Sequence, residues 1–441
     1  MKILHLLGAG SYLPWTIGGS IVYCHRLCQE LKLLGVESRV AIHQSTHKKQ
    51  SLGEYVFENV PVLVLPHLAD ENERQALFSR TTKDPVGFKK LLEEFRPDVV
   101  HFHDFTVVAG IAHMRLAKQG GCKIVMTYHT PGNSCSQHGL HYRSEWKRIC
   151  DGEILLDRCS ECRLSGAGFS KILGKLVVQK SLPFFDPKGR GLLSRLFTTR
   201  RMTELFRDSW LEMSELVDGL HVYAQWVKDI IERNRVSSRK VYFFRSGGPT
   251  LVPARSQKSS DGTFRMVFSG RATFVKGLHV LVDAIRSLPR DLPIEAHLFI
   301  AEREWEQKRY GDVLKRKIEG DSRFKVKFGC PQSDLFNALG QYDAAVVPSL
   351  WLETGPLTVF EAFAAGLPVI GSRLGGISEL VEDGVNGLLF EPGDSRGLAD
   401  LIKRLVRERD LLSRLTSHVK PPRTMSDVAK DSVALYRGLM S

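Results

Sequence analysis

The chain has 441 residues, which exceeds the usual size of one hydrophobic core and predicts two domains. Hydrophobic residues make up 43% and charged residues 25%, an ordinary globular composition that excludes a disordered, collagen-like or low-complexity chain. The net charge of +13 favours anionic partners, and eight cysteines are too few for a disulfide scaffold.

The amino terminus resembles a signal peptide, because Lys2 precedes the apolar residues of Ile3–Leu7. The apolar run stops at Gly8, and no cleavage site with small residues follows it, so it predicts a buried first strand that enters a glycine turn. No apolar stretch approaches the ~20 residues needed to cross a bilayer. We expect a cytoplasmic protein, or one attached peripherally to the inner face of the membrane.

Short runs rich in Val and Ile alternate with helical patterns along the chain, which is typical of parallel sheets built from βαβ units. The predicted strands are Ile3–Leu7, Ser38–His43, Val99–His103, Lys123–Tyr128, Leu220–Tyr223, Val241–Phe244, Phe264–Ser269, Glu295–Ile300, Phe324–Phe328, Ala344–Pro348, Pro368–Gly371 and Gly387–Phe390.

The polar stretch Ala254–Gly262 predicts a linker between domains. We therefore predict an α/β fold of two doubly wound, Rossmann-like parallel sheets that face a central cleft, with ligands at the carboxyl ends of the strands. Residues 1–253 would form the first domain, residues 254–420 the second domain, and residues 421–441 a helix that packs back on the first domain.

Residues 131–205 interrupt the alternation and predict an insertion in the first domain. Within it, the segment Arg163–Arg201 holds nine Lys or Arg residues against one acid, Asp186, together with several Leu and Phe residues. This mixture suits an anionic membrane surface or a lipid-diphosphate acceptor, and a solvated basic loop with apolar anchors explains it equally well. Nucleic acid is not an expected partner, because no nucleic-acid-binding module accompanies the charge.

Four of the eight cysteines lie in the same insertion. Cys135, Cys150, Cys159 and Cys162 have the spacing C-x14-C-x8-C-x2-C, in which a closing pair and two upstream thiols can surround a tetrahedral Zn²⁺. His138 and His141 are alternative ligands. We predict a structural zinc here, with four unrelated free thiols as the alternative. A catalytic metal is not expected, because closed sites rich in thiolates are structural.

Residues 348–362 contain several candidate ligand-binding groups. This segment ends a predicted strand and begins a helix. The backbone N–H groups at the start of such a helix, here those of Leu357 and Thr358, are free to bind a ligand. Glu353 and Glu361 can accept hydrogen bonds from two parts of one polyhydroxylated ligand. Taken singly, Glu353 is more simply explained as a helix cap and Glu361 as a charge on a helix face.

The glutamates are followed by Ala362, by Gly366-Leu367-Pro368-Val369 and by Gly375-Gly376-Ile377-Ser378-Glu379. This ordered series resembles the retaining glycosyltransferases of family 4, which have the two-domain GT-B fold. The resemblance is specific over Phe264–Asp400 and weaker in the first half. It implies that residues 1–253 are the acceptor-side domain and residues 254–420 the nucleotide-sugar-binding domain. It implies transfer of a sugar, with retention, from a UDP- or GDP-sugar to a hydroxyl of a glycan or lipid-linked acceptor, in cell-surface polysaccharide or glycolipid biosynthesis. One departure is Pro356, where most relatives have glycine, so donor preference could differ.

The resemblance also implies roles for single residues. Arg271 and Lys276 would neutralise the donor diphosphate, Glu361 would hold the ribose hydroxyls, and Glu353 would hold and orient the sugar. Gly18 and Gly19, before a predicted helix, would let the backbone approach phosphate, although a plain tight turn explains them equally well. His129, after a strand end, would contact the sugar and the reacting region; His101 and His103 are weaker candidates, one of them expected to be structural.

Two other functions remain open from the sequence. A nucleotide-sugar epimerase of the same architecture would turn over the donor without an acceptor. A non-catalytic sugar- or polyanion-binding protein could keep the fold without turnover, although the set Arg271, Lys276, Glu353 and Glu361 argues against it.

Overall fold

The computed structural model describes residues 1–16, 18–44, 51–142, 145–170, 174–175, 191–249, 261–301, 308–330 and 332–441. It divides into two compact units, the first formed by Met1–Phe244 with Val428–Ser441 and the second by Arg245–Asp427. The predicted boundary at 253/254 lies outside the described residues. Each unit is an α/β structure built on a parallel sheet, which confirms the predicted fold class.

Sixteen strands are present in the described residues. Twelve of them lie close to the twelve predicted strands, and the other four were not predicted. The sixteen strands are β1 (Lys2–Leu7), β2 (Glu37–His43), β3 (Gly53–Phe57), β4 (Val60–Leu65), β5 (Val99–Phe102), β6 (Lys123–Thr127), β7 (His141–Tyr142), β8 (Glu145–Ile149), β9 (Gly219–Val222), β10 (Val241–Phe243), β11 (Phe264–Gly270), β12 (Ile294–Ile300), β13 (Phe324–Phe328), β14 (Ala344–Val347), β15 (Val369–Ser372) and β16 (Gly387–Phe390).

The first α-helix, α1, spans Gly19–Leu33. The other α-helices of the described residues are Arg74–Ser79, Phe88–Phe95, Ile111–Gln119, Leu156–Gly166, Leu192–Leu216, Gln225–Arg233, Leu278–Ser287, Lys308–Ile318, Gln332–Leu339, Leu357–Ala364, Gly375–Leu380, Ser395–Arg407, Arg409–His418 and Met425–Met440. None of the helices in the described part of the chain is long and apolar enough to cross a membrane.

The sheet of the first unit has the strand order β10-β9-β6-β5-β1-β2-β4-β3, and only the edge strand β3 runs antiparallel to its neighbour. Successive side chains of a strand point to opposite faces of the sheet. Accordingly Leu4 and Leu6 of β1 belong to one apolar cluster and Leu7 belongs to another, so the sheet is covered on both faces. The strand order reverses between β1 and β5, whose carboxyl ends therefore border a crevice.

The sheet of the second unit has the strand order β13-β12-β11-β14-β15-β16, and all its strands are parallel. Phe264, Met266 and Phe268 of β11 pack in one apolar cluster, whereas Val267 packs in the other. This is the order of a doubly wound nucleotide-binding sheet, in which the crevice for a ligand lies where the order reverses. Here that point is between β11 and β14.

The hairpin of β3 and β4 was not among the predicted strands. Pro61 interrupts the apolar pattern of β4, and proline in a run argues against a strand. The connecting residues Glu58 and Asn59 both have left-handed backbone conformations, with φ of 43° and 65°, as a two-residue hairpin turn requires.

The predicted insertion, residues 131–205, contains regular structure. It includes the β7–β8 hairpin, the helix Leu156–Gly166 and the first half of the helix Leu192–Leu216. Much of the basic segment, residues 171–173 and 176–190, lies outside the described residues.

The last helix, Met425–Met440, contributes its residues from Val428 onward to the first unit. Tyr436 is fully buried there, and its hydroxyl lies 2.7 Å from Nδ1 of His101 on β5. Leu435 and Leu439 lie over Gly219 of β9, where an added Cβ would be 3.2 Å from each of them. The end of the chain therefore completes the core of the first unit.

Candidate functional site

The second unit places an ion pair at the carboxyl ends of β11 and β14. Nζ of Lys276, on the loop after β11, lies 2.7 Å from Oε1 of Glu353, on the loop after β14. Ser349 donates its hydroxyl to the same carboxylate oxygen at 2.8 Å. The pair is largely shielded, with side-chain exposures of 30% for Lys276 and 14% for Glu353. An oriented ammonium–carboxylate pair therefore lies where a doubly wound sheet binds its ligand.

Glycine allows the two loops to approach each other. Gly277 has φ of +71°, and a Cβ at this position would lie 1.7 Å from the carbonyl oxygen of Pro348. The backbone N–H of Leu350 also donates to the carbonyl of Val275 at 2.8 Å. Only glycine adopts this conformation and leaves room for Pro348. The residue next to Lys276 thus sets the distance between the lysine and Glu353.

The glycine pair 375–376 holds the backbone of Glu353. The N–H of Gly376 donates to the carbonyl of Glu353 at 2.6 Å, and a Cβ on Gly376 would lie 2.7 Å from that oxygen. The glycine pair therefore allows a close approach to the main chain of Glu353. In the same segment Glu379 forms an ion pair with Arg245.

The helix Leu357–Ala364 follows the Glu353 loop. Its N-cap is Pro356 and it has no side-chain cap, so the amides of its first turn, at Leu357 and Thr358, have no capping side chain. Glu361 is only 5% exposed and lines a small recess with Ser269, Val347 and Thr358. Thus the structure brings Lys276 to Glu353, and Thr358 to Glu361.

The remaining donor-side candidate, Arg271, directly follows Gly270 at the end of β11 and is exposed. The buried hydroxyl of Thr273, on the same loop, has no hydrogen-bond partner among the described residues. Buried hydroxyls are usually bonded, and those left open are common where a ligand binds. The loop from Arg271 to Lys276 therefore carries two cations, Arg271 and Lys276. It also carries the Thr273 hydroxyl, which has no hydrogen-bond partner among the described residues.

In the first unit, Gly18 and Gly19 form the start of α1. Gly18 is the N-cap, with an extended backbone (φ −159°) that any residue adopts, and a Cβ on Gly19 would meet no atom within 4 Å. The unit itself therefore does not require glycine at either position. The helix predicted to follow Gly18 and Gly19 begins at Gly19 itself.

His129 follows β6, and both of its ring nitrogens have partners within the first unit. Nε2 lies 3.1 Å from Nδ1 of His103, and Nδ1 lies 3.1 Å from the hydroxyl of Tyr223. Burial, and to a smaller degree the charge of His221, lower the pKa of His129 to about 3. The ring is therefore neutral at neutral pH, and within the first unit both of its nitrogens are already hydrogen-bonded.

The weaker candidates His101 and His103 are both buried, with 1% and 0% exposure. His101 lies between the hydroxyls of Tyr436 and Thr127, each 2.7 Å from one ring nitrogen. Burial lowers the pKa of both histidines well below the usual value. His101 therefore has a structural role, while His103 connects His129 to His5, whose Nδ1 lies 2.9 Å from Nε2 of His103.

Two residues near these sites were not predicted. Asp104 follows β5, and burial raises its pKa to about 7 although the Gly8 amide and Arg80 act to lower it. Its Cβ would be 2.7 Å from a Cβ on Gly8, so glycine after β1 makes room for it. Ser349, the partner of Glu353, is the other. Asp104 directly follows the predicted strand Val99–His103, and Ser349 directly follows the predicted strand Ala344–Pro348. A polar residue at such a position is the signal that could have identified them.

The four cysteines of the predicted zinc site are half-buried, and none of them is in a disulfide. Burial raises the pKa of Cys159 to about 12, and the neighbouring thiols of Cys135 and Cys150 contribute to this rise. Among the described residues, however, only two groups of three potential ligands lie within 4.8 Å, namely His5 with Cys24 and Cys28, and His5 with His101 and His103. The structure therefore does not assemble these four thiols around one ion, and zinc there stays a prediction.

Comparisons with known proteins identify both halves of the chain. Residues 17–159 match the family model described as Glycosyltransferase Family 4, and residues 254–420 match the model described as Glycosyl transferases group 1. The amylovoran biosynthesis glycosyltransferase AmsK of Erwinia amylovora is 34% identical over 152 residues, which cover 32% of this chain and 35% of AmsK. Glycogen synthase of Mycobacterium tuberculosis is 27% identical over 194 residues, covering 42% of this chain and 46% of the synthase. The chain thus spans less than half the length of these curated relatives.

Solved structures match over nearly the whole chain. Sucrose-phosphate synthase from Thermosynechococcus elongatus has a TM-score of 0.66 at 16% identity, covering 100% of this chain and 99% of that one. HepE of Anabaena, solved in complex with UDP and glucose, has a TM-score of 0.63 at 16% identity, covering 99% of each chain. Such low identities show the fold alone, which is that of the GT-B glycosyltransferases. Together with the two family models, this shows that the chain belongs to the GT-B glycosyltransferases of group 1 and family 4.

Proposed function

We propose that this chain is a retaining glycosyltransferase that moves a sugar from a UDP- or GDP-sugar to a hydroxyl of a glycan or lipid-linked acceptor. The observation that carries the proposal is the Lys276–Glu353 pair at the point of strand-order reversal in the second unit. Two relatives support a role in cell-surface polysaccharide biosynthesis by their names, which refer to amylovoran and to colanic acid. The complexes of HepE with UDP and with UDP-glucose support a nucleotide-sugar donor.

Departure of the nucleoside diphosphate builds negative charge, which preorganised cations and amides stabilise. Lys276 has three N–H donors, and only one is needed for the Glu353 carboxylate, so the others can reach a phosphate oxygen. Arg271 adds a planar fork of donors that matches phosphate geometry. The amides of Leu357 and Thr358 complete the set. These groups supply the positive charge that a metal ion provides in other transferases, and we propose catalysis without a metal.

The two glutamates would hold different parts of the donor. Glu361, buried beside the recess under Thr358, would accept hydrogen bonds from the ribose hydroxyls. Glu353 would accept bonds from hydroxyls of the sugar, since Lys276, Ser349 and Gly376 fix both its carboxylate and its backbone. His129, as a neutral imidazole, would exchange its contact with the Tyr223 hydroxyl for a hydrogen bond to the sugar as positive charge develops at the anomeric carbon. We propose that the acceptor attacks from the face of the leaving group, which gives retention.

The acceptor side of the proposal rests on the insertion. Leu192 and Leu193 are 68% and 62% exposed at the start of a helix that also carries Arg195, Arg200 and Arg201. Exposed leucines beside arginines suit a lipid-linked diphosphate or an anionic membrane surface. Flotation of the full chain with phosphatidylglycerol vesicles, compared with the variant Leu192→Ser/Leu193→Ser, tests this contact; equal flotation of both would remove it.

The experiment for the reaction is mass-spectrometric screening of UDP- and GDP-sugars with lipid-linked acceptors. We expect Glu353→Ala and Lys276→Ala to abolish transfer while the fold stays intact. Lys403→Ala is the matched control, because Lys403 also forms an ion pair, with Asp400, and has a similar side-chain exposure of 37%. Normal turnover by either site variant contradicts the assignment. Donor turnover without acceptor would identify an epimerase, and donor binding without turnover would identify a non-catalytic binding protein.

A further inference from the structure

A second cluster of reactive side chains lies inside the first unit, between β1 and α1. Cys24 and Cys28 are four residues apart on α1 and therefore share one face of the helix. They and His5 of β1 are all buried, with exposures of 0% for His5 and Cys24 and 2% for Cys28. One ligand atom of each residue lies within 4.8 Å of the other two. Two thiolates on one tetrahedral Zn²⁺ lie about 3.8 Å apart, so this spacing is close to that of a formed site.

Among the described residues, one ring nitrogen of His5 has a hydrogen-bond partner and the other has none. Nδ1 lies 2.9 Å from Nε2 of His103, whereas the buried Nε2 has no hydrogen-bond partner among the described residues. A buried polar atom without a partner costs stability, and such atoms in a native protein call for a ligand or ion. Nε2 is therefore the nitrogen that can serve the cluster with the two sulfur atoms. Two cysteine sulfur atoms beside an imidazole nitrogen are a donor set for a soft metal ion.

We propose that His5 Nε2, Cys24 Sγ and Cys28 Sγ bind one thiophilic metal ion, Zn²⁺ or Cu⁺. Thiolate sulfur selects these two ions over the hard cations Mg²⁺ and Ca²⁺, and imidazole suits both. No fourth ligand from the described residues lies within the same radius of all three atoms. A three-coordinate Cu⁺ fits this set directly, and Zn²⁺ would take a small fourth ligand. This site is separate from the four cysteines of the insertion.

A chain of hydrogen bonds would connect the bound ion to His129 and fix the tautomer of that histidine. A metal on Nε2 of His5 leaves the proton on Nδ1, which then donates to Nε2 of His103. His103 must in turn carry its proton on Nδ1 and donate it to Nε2 of His129, so that His129 donates from Nδ1 to the Tyr223 oxygen. The ion therefore fixes the tautomer of all three histidines. The metal site stands without the proposed function, and only this consequence for His129 rests on it.

The test measures metal content of the full chain, loaded separately with Zn²⁺ and with Cu⁺ under anaerobic, reducing conditions and then dialysed. We expect this site to hold one ion firmly, so that the metal content falls by one ion per chain in Cys24→Ser and in Cys28→Ser. The matched control is the double variant Cys135→Ser/Cys159→Ser, which removes two thiols of the insertion and should keep the ion. Loss of metal in the control but not in the two α1 variants would overturn the proposal, as would the absence of retained metal from the wild-type chain.

A second measurement needs no variant, because substitutions in a core can unfold the protein. X-ray absorption of the wild-type chain counts the atoms around the bound ion. Two sulfur atoms and an imidazole nitrogen are expected; four sulfur atoms, or oxygen and nitrogen alone, would overturn the proposal. Neither measurement depends on turnover, so failure of the proposed transferase activity and failure of the metal site are distinguishable.

Discussion

The substitution Gly277→Ala tests the geometry of the Lys276–Glu353 pair most directly. The added Cβ would lie 1.7 Å from the carbonyl oxygen of Pro348, and contacts below 3.0 Å are essentially never observed for real Cβ atoms. One of the two loops must therefore move by about 1.3 Å. Since Lys276 precedes Gly277 and Glu353 follows Pro348, this movement separates the ammonium from the carboxylate.

The size of the effect follows from that displacement. A misplacement of about 1 Å can cost about 100-fold in rate, or roughly 2.7 kcal/mol in the barrier. Alanine at φ +71° also costs about 1–2 kcal/mol of folding free energy, because the left-handed region crowds its Cβ. We therefore expect turnover of the nucleotide-sugar donor to fall about 100-fold, with only a modest drop in the urea midpoint of unfolding.

Gly262→Ala separates the two effects. Gly262 has a nearly identical φ of +77°, but a Cβ there would meet no atom within 4 Å, and it precedes β11 at the edge of the sheet opposite the site. This variant should show the same loss of stability with normal turnover. If Gly277→Ala turns over the donor as fast as Gly262→Ala, the steric argument for the site is refuted.

Three further predictions concern single contacts and pH. Ser349→Ala removes the hydroxyl that donates to Glu353 at 2.8 Å; a hydrogen bond to a charged group contributes about 1.5–3 kcal/mol, so we expect at least a tenfold fall in turnover, and unchanged kinetics would contradict this role. Arg80→Met leaves the backbone carbonyls of Phe105, Gly132 and Asn133 without their buried donor, and urea denaturation should show a loss of about 3 kcal/mol or more; an unchanged midpoint would remove the argument. Burial lowers the pKa of several histidines, so below about pH 6.5 the unfolded chain binds protons that the folded chain refuses, and stability present above that pH should fall steadily toward pH 3; equal urea midpoints at pH 7 and pH 5 would contradict it. These histidines are His43, His101, His103, His113 and His129.

The second unit could be predicted in detail because its signals are local. Each strand is a short apolar run, and the residues that follow β11 and β14 are the ones the structure brings together. The spacing of Glu353 and Glu361 places them before and inside one helix, as found. Ser349 was missed although it directly follows a predicted strand, because that position alone does not show its contact with Glu353.

The histidine chain of the first unit could not be predicted, since it depends on contacts between distant parts of the chain. His5 and His103 are 98 residues apart and meet only because β1 and β5 pair in the sheet. The thiols show the same limit. The pattern of the sequence drew attention to the closely spaced pair Cys159 and Cys162, whereas the thiols that share a compact cluster with a histidine are Cys24 and Cys28.

The return of the last helix to the first unit has a consequence for how the protein is made. The second unit is one continuous stretch, whereas the first is assembled from two stretches that flank it. A ribosome therefore delivers every residue of the second unit before the buried partner of His101, Tyr436, has emerged. The second unit can fold during synthesis, and the core of the first can close only after Tyr436 has emerged. Dissection of the protein should follow the same logic, with residues 245–427 expressed as one piece and the first unit rebuilt by joining its two segments.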